Sequence, residues 1–144
     1  MAFLDPTSDP TRQGLIDLRN NLLRLHKTLL DSEKRTYERV HGKIPTPGAF
    51  LQLLLNDPWF AWLRPVTTLV VEIDEILAGK EAATEDTAQQ LFVQARNLIT
   101  STEEGNGLGK AYFDALQRNP DVAVLHGEVM KVFSSYKKGE RAKL

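Results

Sequence analysis

The 144-residue chain contains no cysteine. That absence removes disulfides, thiolate zinc sites, iron–sulfur clusters and cysteine nucleophiles together. Long apolar runs are missing too: the longest uncharged stretch, Ile44–Asn56, is 13 residues and holds Pro45, Pro47 and Gly48. A membrane-spanning helix needs ~18 or more consecutive apolar residues. Met1–Pro10 carries Asp5, Asp9 and two prolines where a secretory signal has basic residues and then an apolar stretch. A soluble, cytoplasmic protein without a membrane is the expectation. Neither charge sign dominates, since 18 Lys and Arg stand against 19 Asp and Glu, so nucleic acid is not an expected partner. The basic residues near the C-terminus, Lys131, Lys137, Lys138, Arg141 and Lys143, have no stacking aromatics interleaved with them in the tail. No segment alternates polar and apolar residues between turn signals, so no strand is expected. The glycine-rich stretch Glu103–Gly109 lacks the lysine and the preceding strand of a phosphate cradle and reads as a connector.

What the chain does have is helical periodicity. Asp9-Pro10 is a capping carboxylate followed by a ring preset for the first helical position. After it apolar residues recur at Leu15, Ile16, Leu18, Leu22, Leu23, Leu25, Leu29 and Leu30, then Tyr37 and Val40, a 3-4 alternation that puts them on one face until Gly42 and Pro45 end the run. Thr46-Pro47 repeats the start signal for a short apolar segment holding Leu51, Leu54 and Leu55, read as core residues, which Asn56-Asp57-Pro58 stops. Trp59, Trp62, Val66, Leu69, Ile73 and Ile76 then follow the same rhythm up to Gly79. Pro65 lies inside that run, where it deletes the hydrogen bond to the Ala61 carbonyl and is expected to bend the axis. Thr84 opens a third long helix and Asn119-Pro120 a fourth, the latter preceded by a short helix over Ala111–Leu116 and ended at Gly139. The sequence predicts an all-α domain over residues 1–144, a four-helix bundle with two additional short helical segments. Residues 1–9 read as an N-terminal arm and 139–144 as a frayed C-terminal tail.

Charge is segregated along the chain. Residues 1–45 carry eight Lys and Arg and six Asp and Glu, 46–105 carry three and nine, and 106–144 carry seven and four. The acidic cluster Glu72, Asp74 and Glu75 sits near a helix C-terminus, which disfavours negative charge, and is expected to answer a basic neighbour on the first helix.

Few residues have the types and spacing that chemistry needs. Glu38 and His41 are three apart on one helical face, half of a di-iron carboxylate motif. No second copy exists, because neither His26 nor His126 has a glutamate three residues before it. A metal-dependent enzyme built on Glu38 and His41 is therefore the third reading, and no cofactor is expected. His26 and His126 lie at the edges of their stripes, where two facing rings would form an acid/base couple and two separate rings would bond backbone or water.

The densest aromatic stretch is Pro58–Pro65, which holds both tryptophans. Phe60, like Val71 further on, falls off the core stripe, where a side chain either packs against the short helical segments or forms an exposed contact patch. The first functional reading is thus a non-catalytic protein-interaction module, self-associating as a homodimer or meeting a protein partner. The alternative is a bundle that binds an apolar or weakly acidic small molecule at the Pro65 bend. Trp59, Phe60, Trp62, Arg64, Val66 and Leu69 are the candidate ligand- or partner-binding residues for these two readings.

Overall fold

A computed structural model describes residues 9–99 and 108–142. Among these the fold is all-α. It has α1 (Pro10–His41), α2 (Pro47–Asn56), a 3₁₀ segment (Pro58–Leu63), α3 (Arg64–Ala78), α4 (Glu85–Leu98), α5 (Leu108–Arg118) and α6 (Pro120–Ala142). The arrangement of α1, α3, α4 and α6 is compatible with the expected bundle, with α2 and α5 as the two short additions.

The starts and stops are local chemistry. The Asp9 carboxylate accepts from the Thr11 N–H at 3.0 Å and the Arg12 N–H at 3.3 Å, satisfying donors that a first turn leaves open. Thr46 and Thr84 do the same for α2 and α4 through their hydroxyls. Gly42 ends α1 at a φ of +87°, a conformation other residues rarely adopt. Asp57 and Asn119 each close one helix and cap the next segment, their side chains accepting from Trp59 N–H and Asp121 N–H.

Three expectations are corrected. Pro65 does not bend a continuous helix: it lies in the first turn of α3, after a 3₁₀ segment, where its missing N–H breaks no helical bond. The Ala61 carbonyl is also occupied, accepting from the Arg64 N–H. The C-terminal helix passes through Gly139 to Ala142, since one glycine costs a helix only about 1 kcal/mol relative to alanine. The expected arm and connector fall mostly at residues 1–8 and 100–107, outside the described residues.

Leu15, Leu18, Leu22, Leu25 and Leu29 of α1 are buried and form the spine of one contiguous core. Around it stand Leu69, Val70, Ile73 and Leu77 of α3, Leu91, Phe92 and Ala95 of α4, and Val122, Val129 and Phe133 of α6. α1 packs on α3, α4 and α6. Its pairings with α3 and α6 are antiparallel. Arg12 and Arg19 reach the Leu77 carbonyl and the Asp74 carboxylate, and Gly14 lies against Tyr136. The Arg19–Asp74 pair, at 3.3 Å, is the basic answer from the first helix that the acidic cluster on α3 called for. Leu23 and Val40, expected on the apolar face of the first helix, are exposed instead.

Candidate functional site

The aromatic stretch folds inward. Phe60 is completely buried, and of the two placements open to it takes the one against a short helical segment, α2. The 3₁₀ segment is enclosed by α1, α2 and α5, so more than one of its sides meets protein. The Phe60 ring lies 5.7 Å from that of Phe50 and 5.6 Å from that of Tyr37. Trp59 stands edge-on to Tyr37 and His41. Its indole N–H donates to the Glu33 carboxylate at 3.0 Å. Glu33, buried on α1, also accepts from Arg118 at the end of α5. Trp59, Phe60, Glu33 and Arg118 thus join α1, the 3₁₀ segment and α5.

Of the remaining candidate residues, Val66 and Leu69 are buried and Trp62 is half-buried against the core. Arg64 spends its guanidinium on the Leu54 carbonyl at 2.9 Å and the Asp57 carbonyl at 2.8 Å, fastening α2 to the start of α3. Beside Pro65 lies an open depression of about 580 Å³. Arg64 and Leu69 line it together with Glu72, Gln94 and Asn97, while Trp62 and Val66 do not.

Glu38 and His41 have different partners. The Glu38 carboxylate accepts from the Ile44 N–H at 2.8 Å, bracing the turn after α1, and the His41 ring lies 4.5 Å from that of Tyr37. Among the described residues no group of three or more His, Asp or Glu is placed to hold a metal ion. The other two histidines have separate partners. His26 Nε2 lies 2.7 Å from the Thr67 hydroxyl, and His126 Nδ1 lies 2.7 Å from the Tyr112 hydroxyl. Burial lowers the pKa of both rings and raises that of Tyr112. Tyr112 therefore keeps its proton and pairs with a neutral His126 ring.

The exposed apolar surface is elsewhere. α2 is the most apolar of the six α-helices, yet none of its residues is buried. Phe50, Leu53 and Leu54 lean on the core, whereas Leu51 is 53% and Leu55 58% exposed. This corrects the reading of Leu51 and Leu55 as core. Gly48, Leu51, Gln52 and Leu55 recur at helical spacing and form one outward stripe. Val71, also expected off the seam, is exposed on α3.

At the other end of α1, about 30 Å away along its axis, α1, α4 and α6 enclose a half-open pocket of about 320 Å³. Sequence reasoning missed it, although Gly14, alone inside the leucine stripe, is the kind of residue that marks a close approach. A β-carbon there would lie 2.7 Å from Tyr136 Cδ2. The Tyr136 ring stacks on Phe92, with centroids 4.1 Å apart, and its hydroxyl donates to Glu85 at 2.6 Å. Among the described residues no helix is long and apolar enough to cross a membrane. Comparison of the chain with protein-family models, with curated proteins and with solved structures finds no match.

Proposed function

We propose that this chain is a non-catalytic interaction module, working in the cytoplasm, that self-associates through the outward stripe of α2. The observation that carries this reading is the exposure of Leu51 and Leu55 on an apolar helix that buries none of its residues. Pro47–Asn56 has no charged residue, so two copies meeting about a twofold axis would set no like charges opposite each other along α2. Leu51 of one copy would then face Leu55 of the next. Sedimentation velocity tests this with wild type against the double variant Leu51→Gln, Leu55→Gln. Wild type should shift from monomer to dimer up to high micromolar concentration, and the variant should stay monomeric. Because these positions are exposed, the variant should unfold within about 0.5 kcal/mol of wild type. Phe60→Ala, by contrast, should cost about 3 to 5 kcal/mol as a core truncation. A wild-type monomer across the whole range would leave self-association unsupported.

A further inference from the structure

The outward stripe of α2 is interrupted by one amide at its centre. Leu51 and Leu55 stand one turn apart with Gln52 beside them, and all three are exposed. The Gln52 carbonyl accepts from the Asn56 side chain at 3.1 Å, one turn further along the same face. That bond uses one lone pair of the carbonyl and leaves the second lone pair and both N–H donors of the amide. Among the described residues the Gln52 side chain makes no other bond.

The stripe is also short. The 10 residues of α2 span about 15 Å, so a second copy laid against them meets few side chains, and the central ones decide how it sits. Two leucines alone do not fix a register, because a copy displaced by one turn still sets a leucine against a leucine. A primary amide does. It carries donor and acceptor in one plane, so two identical amides related by a twofold axis can exchange two N–H···O bonds. In a displaced arrangement each amide loses its counterpart and is left partly dehydrated without a bond. A single polar residue inside an apolar helical contact specifies register and number of copies in this way, while weakening the contact. No charge on α2 selects a partner of opposite sign, whereas a side chain that is donor and acceptor at once matches itself.

We propose, resting on the self-association read from the α2 stripe, that Gln52 of each copy lies on the twofold axis and hydrogen-bonds Gln52 of the other. This makes a second copy of the chain the occupant of the stripe and fixes the register in which Leu51 faces Leu55.

Charge exchange at this one position tests the proposal, because only a residue on the axis meets itself. Gln52→Glu and Gln52→Lys, at an exposed site, should keep the helical circular dichroism of wild type. In sedimentation velocity each alone should dimerise at least about tenfold more weakly than wild type, since like charges are set face to face. An equimolar mixture of the two should recover wild-type affinity or better. Gln90→Glu and Gln90→Lys put the same charges on an exposed residue of α4 and should dimerise like wild type, alone or mixed. A wild-type dimer that either residue 52 variant matches, a mixture no tighter than its components, or a Gln90 pair that behaves as the Gln52 pair does would overturn the proposal. The last result would mean attraction between net charges only. A wild-type monomer at every concentration removes the reading of the stripe together with this inference, so the two failures are distinct.

Discussion

Gly14 and Tyr136 are in contact to a degree that only a glycine permits: a β-carbon on residue 14 would stand 2.7 Å from Cδ2 and 2.8 Å from Cε2 of the ring. The ring has little room to retreat, since Phe92 stacks on it at 4.1 Å and Glu85 takes its hydroxyl. Gly14→Ala sets two effects against each other. Alanine favours the helix by about 1 kcal/mol, while forcing a packed ring aside costs roughly 1 to 3 kcal/mol. The clash should win by about 1 kcal/mol. Gly127 on α6 is the control, because nothing lies within 4 Å of the β-carbon it would gain. Gly127→Ala should raise stability by up to about 1 kcal/mol. Chemical denaturation of the two variants beside wild type reads both signs, and the same sign at both positions would contradict the contact.

The Glu33–Arg118 pair ties α5 to α1 across 85 residues of sequence. Arg118→Ala leaves the buried carboxylate with the Trp59 indole as its remaining side-chain donor. Removing one partner of a hydrogen bond to a charged group costs roughly 1.5 to 3 kcal/mol, and the partial exposure of the arginine puts this case at the lower end. Lys110→Ala breaks an exposed pair with Asp114 on the same helix and should cost no more than about 0.5 kcal/mol. Tryptophan emission should shift in the first variant and not in the second, since Trp59 shares Glu33 with Arg118.

Much of the fold was legible because its signals are short-range. Asp9, Thr46, Thr84 and Asn119 cap helices two or three residues away, and the leucines of α1 repeat within single turns. Pro65 misled for a definite reason. Trp59 and Trp62 are three apart, a spacing that suits a 3₁₀ helix as well as an α-helix, so the stripe continues in the sequence while the backbone changes type. Spacing alone reads Leu55 as core and leaves Phe60 open between core and surface, because burial depends on how many elements surround a position. The 3₁₀ segment is enclosed by three neighbours, whereas α2 leans on the molecule by one side only. The pocket drew no signal except the odd glycine, since Gly14, Glu85 and Tyr136 come together from distant parts of the chain.

The two structural histidines set a lower pH limit on stability. Burial holds the pKa of His26 and His126 below the ordinary 6.5, so between that value and the lowered folded values the unfolded chain binds more protons than the folded one. Stability therefore rises with pH across the window. It is fully present above about 6.5, is lost as pH falls through the lowered values, and changes no further from these groups once both states are protonated. His126 Nδ1 lies 2.7 Å from the Tyr112 hydroxyl. Once the ring is charged both its nitrogens are donors, so the hydroxyl must then be the acceptor. Tyr112 itself acts at the opposite limit: its raised pKa means that the unfolded chain ionises first, so stability declines as pH rises above about 10. Denaturation midpoints of wild type at pH 7.5 and 5.5 should show the acid loss, and the double variant His26→Asn, His126→Asn should show a smaller one. At pH 11 Tyr112→Phe should lose less stability, relative to its own value at pH 8, than wild type does. An acid loss as large in the double variant as in wild type would move the cause to the carboxylates, whose protonation continues well below pH 5.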